Sequence, residues 1–140
     1  MEILIDVPSL ERGLPGSLTI PPSPRGVVAF AHGSGSSRLS PRNAFVAETL
    51  QRRGIATLLF DLLTPQEDRD PEARFDIPLL TRRLLAASDW LSGQAATARL
   101  PLGYFGASTG AAAALEAAAE RGAGVSAVVS RGGRPDLAGP

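Results

Sequence analysis

The chain has 140 residues, a length that allows one domain with a substantial buried core. Its 14 basic residues balance 14 acidic ones, and since neither sign forms a long block, nucleic acid and anionic membrane surfaces are disfavoured as partners. The absence of cysteine excludes disulfides, thiol catalysis and thiolate zinc sites, and the single histidine cannot build a histidine-cluster metal site, so we expect no cofactor.

The N-terminal segment, MEILIDVPSL, predicts a strand rather than a targeting sequence. Ile3, Ile5 and Val7 alternate on one face, and a basic stretch followed by a long apolar run is missing. No segment has the roughly 20 apolar residues that span a bilayer, so we expect a cytoplasmic protein without membrane contact. Leu18 and Ile20 repeat the alternation after the turn residues ERGLPG, which predicts an antiparallel hairpin at a sheet edge.

Two continuous apolar runs, RGVVAFAH and IATLLFDLL, predict central strands that are covered on both faces. Between them, residues 41–53 predict a helix that ends at a glycine. Its predicted inward stripe consists of Phe45, Val46, Thr49 and Leu50. Residues 64–75 are polar and contain two prolines, so they predict a surface excursion after the second strand.

The best amphipathic helix of the chain follows, with Asp76 as its predicted N-cap. Its apolar stripe consists of Ile77, Leu80, Leu84, Ala87 and Leu91. Trp90 on this helix is expected to pack rather than to bind a ligand. The segments LPLGYF and VSAVVS predict two further strands, and the alanine-rich helix between them, with Ala111 to Ala114, is expected to approach the sheet closely.

This order of elements predicts an α/β fold with a mainly parallel sheet, helices on both faces and an N-terminal antiparallel hairpin. Ligand sites in such sheets lie at the carboxyl ends of the strands. Three loops leave those ends with polar or glycine-rich sequences, namely HGSGSS, FDLLT and GASTG. We predict that one pocket collects all three.

Residues 106–110, GASTG, match G-x-S-x-G directly after a predicted strand and directly before a predicted helix. In a nucleophile elbow the serine hydroxyl projects from this turn, and the flanking glycines leave room for the bend. We therefore predict that Ser108 is the catalytic nucleophile, with the helix N-terminus and the Thr109 N–H stabilising an oxyanion. The second oxyanion donor is predicted to be the N–H of Ser34, in the loop after a neighbouring strand.

Two other interpretations of these loops stay open. Ser108 could cap the alanine-rich helix instead, because serine is a preferred N-cap and the short motif occurs often by chance. HGSGSS could cradle a phosphate, but it lacks the lysine of a P-loop, and the chain has no G-x-G-x-x-G pattern. Nucleotide binding is therefore the minor alternative.

The other polar residues near the predicted pocket are assigned structural roles. His32 ends the strand beside the elbow strand, and we favour its holding the oxyanion loop by hydrogen bonds over its acting as the base. Asp61 and Arg131 lie at strand ends and could line the pocket, but we favour ion pairs for both. Gly33 and Gly35 complete the candidates for lining the pocket.

Several blocks together resemble the α/β-hydrolase superfamily and, within it, the dienelactone hydrolase-like branch, including versions fused to a phosphoribosyltransferase domain. The blocks cover nearly the whole chain from Arg25 onward and are VVAFAHGSGSSRLSPRNAFVAETL, LLFDLLTPQE, FDIPLLTRRLLAA, LPLGYFGASTGAAAA and VVSRGGRPDLAG. The resemblance implies that Ser108 is the nucleophile and that Ser34 lies in the oxyanion loop. Dienelactone hydrolases proper use a cysteine nucleophile, which this chain lacks, so the implied substrate is an ester, lactone or thioester more generally.

The family's triad is completed by an Asp and then a His that follow the elbow after two further strands. Neither appears before Pro140, so we expect residues 1–140 to be a single hydrolase domain that lacks its C-terminal third and has low or no activity alone. VSAVVS would then form an exposed sheet edge that favours self-association. The expected partners are a small acyl substrate and a phosphoribosyltransferase domain, fused or associated; the alternative function is a non-catalytic binding or scaffold module of the same fold.

Overall fold

The computed structural model describes residues 1–140, which form one six-stranded sheet with helices on both faces. The strands are β1 Glu2–Ile5, β2 Leu14–Thr19, β3 Gly26–Ala31, β4 Ile55–Phe60, β5 Leu102–Ala107 and β6 Ala127–Arg131. The α-helices are α1 Pro41–Arg52, α2 Pro71–Arg74, α3 Ile77–Ser92 and α4 Thr109–Arg121, and short 3-10 turns span Glu67–Arg69, Gly122–Gly124 and Pro135–Leu137.

The strand order is β1-β2-β4-β3-β5-β6. β1 and β2 form the antiparallel hairpin, and β2 joins β4 antiparallel. The pairs β3–β4, β3–β5 and β5–β6 are parallel. The predicted fold class is therefore confirmed, and the carboxyl ends of β3, β4 and β5 meet at one edge of the sheet.

Most of the core lies on the sheet face that α3 and α4 cover, in a cluster of 23 buried residues. The Asp76 carboxylate caps α3 by accepting the Leu79 N–H at 3.1 Å, as predicted. The predicted apolar stripe of α3 is buried throughout, and Trp90 is partly buried and packs against the core cluster. Ala111 to Ala114 are fully buried, which confirms that α4 lies close to the sheet.

The opposite face carries a much smaller cluster under α1, made of Phe30, Ala47 and Phe105. The predicted inward stripe of α1 was partly wrong, because Phe45 is 68% exposed and Thr49 is exposed as well. The helix instead buries Asn43 and Ala47, which are four residues apart and so lie on one side of a helix. Val46 and Leu50 are partly buried and pack against the small cluster, which confirms this half of the predicted stripe, so α1 meets the sheet through small, polar and apolar side chains together.

Residues 64–75 form the predicted surface excursion, but they are not structureless, since they contain the 3-10 turn Glu67–Arg69 and the short helix α2. The Arg83 side chain of α3, only 5% exposed, forms a bidentate ion pair with Glu67, with N···O distances of 2.8 and 2.7 Å. Arg83 also donates to the Leu62 carbonyl at 3.1 Å. The excursion is therefore fastened to the core helix α3.

β6 forms one edge of the sheet, and its Val129 is 52% exposed. Self-association through this edge stays a prediction. None of the helices combines the length and the apolar composition that crossing a bilayer requires.

Candidate active site

Ser108 occupies the sharp turn between β5 and α4 and is exposed. Its backbone has φ 55° and ψ −123°, a left-handed conformation that non-glycine residues rarely adopt. The glycines of the motif allow this turn sterically: a Cβ on Gly110 would lie 2.1 Å from the Ala31 carbonyl oxygen, and one on Gly106 would lie 2.5 Å from the Ala111 Cα. The G-x-S-x-G pattern is thus used for close backbone approach at both of its glycines.

The hydroxyl of Ser108 makes no capping hydrogen bond to α4, although the residue occupies the N-cap position. The interpretation of Ser108 as a helix cap is therefore wrong. Its backbone is held instead, since the Ser108 N–H donates to the Arg131 carbonyl at 3.3 Å and its carbonyl accepts from the Arg134 N–H at 3.2 Å. The turn is fixed while the hydroxyl stays free.

The loop after β3 lies directly beside this hydroxyl. A Cβ placed on Gly33 would lie 3.0 Å from the Ser108 Cβ and 3.7 Å from its Oγ. The N–H groups of Ser34 and Thr109 have no hydrogen-bond partner in the chain. Two unpaired donors therefore come from the two segments that flank Ser108.

The side chains of Ser34 and Thr109 also contact each other. Their hydroxyl oxygens are 3.0 Å apart, and the Ser34 hydroxyl donates to the Arg74 carbonyl at 2.9 Å. Thr109 is 2% exposed. The Arg74 guanidinium lies beside Gly35, whose added Cβ would be 3.6 Å from Nη2.

His32 is 6% exposed, and both of its ring nitrogens are occupied. Nε2 accepts the Leu62 N–H at 3.0 Å, so Nδ1 carries the proton and donates to the Gly33 carbonyl at 2.9 Å. Burial is the main cause of a lowered His32 pKa, against smaller opposing effects of the Gly33 hydrogen bond and of Asp61 and Asp68. This neutral histidine joins the loop after β3 to the loop after β4 by hydrogen bonds, which is the structural role that we favoured.

Asp61 forms the predicted ion pair. Its carboxylate accepts the Arg38 backbone N–H at 2.8 Å and pairs with the Arg38 guanidinium at 2.8 Å. Both side chains are partly buried. The pair fixes the C-terminal part of the loop after β3 to the end of β4.

The ion pair predicted for Arg131 was wrong. The Arg131 guanidinium carbon lies 5.5 Å from the centre of the Phe105 ring, in a cation–π contact, and no carboxylate pairs with it. Phe105 stacks in turn on Phe30, with ring centres 5.1 Å apart. Arg131 therefore packs on the aromatic ring of Phe105 near the end of β5 instead of pairing with a carboxylate.

The three loops meet as predicted, around a cavity of about 10 Å³ lined by residues from each, among them Ser34, Leu62 and Thr109. That volume holds at most one water molecule. A neighbouring cavity of about 190 Å³ opens beside Asp61 and His32. Ser108 lines neither cavity and lies on the open surface.

Three residues of this region were not predicted, namely Arg38, Arg74 and Glu67. One local signal was available for the last: TPQE is a capping-box sequence, and the Thr64 N–H donates to Glu67 Oε1 at 2.9 Å while the Glu67 N–H donates to the Thr64 hydroxyl at 3.2 Å. Arg38 and Arg74 act across long sequence separations, so no short pattern marks them.

No group of three or more His, Asp or Glu side chains is arranged to hold a metal ion.

The fold is similar to those of known proteins. A crystal structure of a dienelactone hydrolase from Anabaena variabilis is 58% identical, has a TM-score of 0.90, and matches 99% of this chain and 66% of that one. The chain belongs to the α/β-hydrolase superfamily. An α/β serine hydrolase homologue from Coxiella burnetii shares this α/β-hydrolase fold at 17% identity, with a TM-score of 0.74 over 93% of this chain and 61% of that one.

Two Mycobacterium tuberculosis proteins, both provisionally named as phosphoribosyl transferases, are 64% identical over 124 residues. The match takes in 89% of this α/β-hydrolase chain but only 28% of each relative's length. No family model matches the chain.

Proposed function

We propose that the chain carries the nucleophile of a serine hydrolase that acts on an ester, lactone or thioester. The observation that supports this most is the free hydroxyl of Ser108 on a strained turn whose backbone is held on both sides. Strain of this kind is costly and concentrates at functional sites. The hydrolase fold of the relatives, with the dienelactone hydrolase 58% identical, supports the same conclusion.

In the proposed reaction, the Ser108 Oγ attacks the acyl carbon and its proton passes to a base. Negative charge then develops on the former carbonyl oxygen. The N–H groups of Ser34 and Thr109 are the proposed donors to this oxyanion, and the N-terminal end of the 13-residue helix α4 adds a favourable field. Collapse of the tetrahedral intermediate breaks the bond to the leaving oxygen or sulfur, which takes the proton from the base, and leaves Ser108 acylated; water then hydrolyses the acyl-serine to the carboxylic acid and restores the Ser108 hydroxyl.

His32 is a poor candidate for the base. Its Nε2 lone pair is already used by the Leu62 N–H, and its low pKa makes it a weak proton acceptor. We therefore expect the 140-residue chain alone to hydrolyse nitrophenyl esters very slowly. A rapid burst that disappears in Ser108→Ala would contradict this expectation and return His32 to the role of base.

Labelling with a fluorophosphonate tests the nucleophile directly. Because the base is in question, the reaction is run with and without added imidazole, which can serve as an external base. We expect one label per chain that Ser108→Ala abolishes. Ser130→Ala is the matched control, since Ser130 is an exposed serine on the neighbouring strand β6, and it should retain the label. Equal labelling of Ser108→Ala and the unsubstituted chain would refute the proposal.

A non-catalytic binding or scaffold module is the second candidate. The observation that favours it is the occupied state of both nitrogens of the single histidine. A binding or scaffold module would be a folded chain that takes no fluorophosphonate label even in the presence of imidazole.

We also propose that the domain works fused to, or associated with, a phosphoribosyltransferase domain. The support is the name and the greater length of the two Mycobacterium tuberculosis relatives. An antibody against this domain should detect a polypeptide well above 14.5 kDa in extracts of the source organism if the two are fused. A single band at 14.5 kDa would contradict fusion.

A further inference from the structure

The hydroxyls of Thr109 and Ser34 and the carbonyl of Arg74 form a chain of hydrogen bonds whose direction is fixed. A carbonyl oxygen can only accept, so the single hydroxyl proton of Ser34 goes to Arg74 at 2.9 Å. The proton between the two hydroxyls, which are 3.0 Å apart, must then come from Thr109. Thr109 therefore donates to Ser34, and Ser34 donates to Arg74.

This chain joins the two residues whose N–H groups are the proposed oxyanion donors. Thr109 begins α4 and Ser34 lies in the loop after β3, 75 positions earlier in the sequence. Main-chain hydrogen bonds hold the elbow itself, but none joins Ser34 to α4. The side-chain link between Ser34 and Thr109 is thus the direct polar connection between the two donors.

The other end of the chain is anchored as well. Arg74 ends the short helix α2, and its Nε donates to the Asp68 carbonyl at 2.8 Å. Asp68 belongs to the 3-10 turn that Glu67 fastens to Arg83. Ser34 is therefore held between the elbow on one side and the anchored excursion on the other.

We infer that Thr109 is a positioning residue, whose buried hydroxyl holds the Ser34 loop against the elbow so that the two N–H groups keep one fixed separation. Oxyanion stabilisation depends on donors that are already in place when charge develops, so small shifts of a donor are costly. The inference rests on the proposed function for its catalytic consequence. The hydrogen-bond chain itself can be tested without it.

Thr109→Val removes the hydroxyl at nearly constant volume, and Thr109→Ser restores it. Thr57→Val is the matched control, because Thr57 is also a buried threonine, 1% exposed, whose hydroxyl accepts a side-chain hydrogen bond, at 2.8 Å from Gln51 on α1. Ser34→Ala breaks the same chain from the half-buried loop and serves if Thr109→Val does not fold. All variants are made in the 140-residue chain.

Two measurements are made on each variant. The first is the saturation kinetics of fluorophosphonate labelling in imidazole, which separates the maximal labelling rate from the half-saturating probe concentration. We expect Thr109→Val and Ser34→Ala to lower the maximal rate roughly tenfold, less than the loss of a whole oxyanion donor, with little change in half-saturation. Thr109→Ser should recover most of the rate, and Thr57→Val should keep it.

The second measurement is hydrogen exchange at the Ser36 amide, which donates to the Gly33 carbonyl at 3.1 Å and so reports on the order of this loop. It should exchange faster in Thr109→Val and Ser34→Ala than in Thr57→Val. Unchanged exchange overturns the inference, and so does faster exchange with an unchanged labelling rate. If the unsubstituted chain takes no label, the proposed function fails, and the exchange data alone decide whether the Thr109 hydroxyl positions the loop.

Discussion

At the scale of single residues, the site is organised by polar groups whose hydrogen-bonding capacity is used up, around one hydroxyl that is free. Both ring nitrogens of His32 form hydrogen bonds with the backbone of two loops, and both carboxylate oxygens of Asp61 accept hydrogen bonds from Arg38. The Ser108 hydroxyl, in contrast, forms no hydrogen bond with the rest of the chain. The lone pairs of the Ser108 hydroxyl are therefore available for the proposed attack on a substrate, and its proton is available to a base.

The buried, neutral His32 should make stability depend on pH. Its pKa is lowered by burial in the folded chain, whereas the unfolded chain has an ordinary histidine pKa of about 6.5. Below about pH 6.5 His32 is therefore protonated in the unfolded state but stays neutral in the folded state, so the free energy of unfolding falls as the pH falls. Urea denaturation between about pH 7.5 and 5.5 should show this decrease in unfolding free energy. This pH window lies above the range in which carboxylates titrate.

His32→Gln provides the control for that prediction, because His32 is the only histidine in the chain. The variant should be less stable by about 1–3 kcal/mol, since the terminal amide of Gln does not reproduce the imidazole geometry that accepts from the Leu62 N–H and donates to the Gly33 carbonyl at the same time. Its unfolding free energy should no longer vary over this pH window. A slope equal to that of the unsubstituted chain would assign the pH dependence to other groups.

At the same scale, the sequence predicted residues whose roles follow from their neighbours along the chain. The sharp turn at Ser108 and the close approach at its two glycines could be predicted because strand, turn and helix are consecutive, whereas the role of Ser108 as nucleophile stays a prediction. Arg131 was not, since a partner across the sheet such as the Phe105 ring leaves no mark in the local sequence. The site roles of Ser34 and Thr109 as oxyanion donors stay predictions.

At the scale of elements, the elbow depends on how closely α4 approaches β3. Gly110→Ala would place a Cβ 2.1 Å from the Ala31 carbonyl oxygen, and backbone on both sides leaves no flexible group to move. We expect a loss of about 3 kcal/mol or more in unfolding free energy. Gly124→Ala is the control, because its nearest contacts are at 3.6 Å and belong to the Arg121 side chain, so it should change stability by less than about 1 kcal/mol. Equal losses in the two variants, measured in urea, would contradict this account of the elbow.

The excursion of residues 64–75 should depend on a single arginine. Arg83→Met removes the bidentate partner of Glu67, and we expect about 2 kcal/mol of destabilisation, reduced from the value for a fully buried pair because Glu67 is 26% exposed. Limited proteolysis within residues 64–75 should become faster. Arg82→Met, at the exposed neighbouring position of α3, should alter neither quantity measurably. Unchanged cleavage in Arg83→Met would show that other contacts hold the excursion.

The elements also show where periodicity is a sufficient guide and where it is not. α3 has one continuous apolar stripe, and every residue of that stripe is buried as predicted. The pattern of α1 is less regular: Phe45, its largest apolar side chain, is exposed, whereas the buried residues are Asn43 and Ala47, with Val46 and Leu50 partly buried beside them. A helix with weak amphipathicity can rotate about its axis at little cost, so its buried side depends on tertiary packing rather than on its own pattern.

At the scale of the whole molecule, the sequence predicted the class of fold and the neighbouring positions of β3 and β5, because alternating strands and helices demand parallel pairing with right-handed connections. The antiparallel pairing of β2 with β4 was not predicted, since it joins segments separated by β3 and α1. The result is a sheet with very unequal faces. The face under α3 and α4 contributes to a cluster of 23 buried residues, whereas the face under α1 contributes to a cluster of only three.

This inequality predicts that the molecule opens from the α1 side first. Local stability follows the buried apolar contacts that an element makes, so α1 amides should exchange hydrogen at least roughly tenfold faster than those of α3 and α4. Hydrogen exchange measured by mass spectrometry on peptides from each helix tests this. Phe30→Leu, which thins the small cluster, should accelerate exchange in α1 much more than in α4. If α1 were protected as strongly as α4, the helices would open only with the whole domain, and the unequal faces of the sheet would carry no difference in local stability.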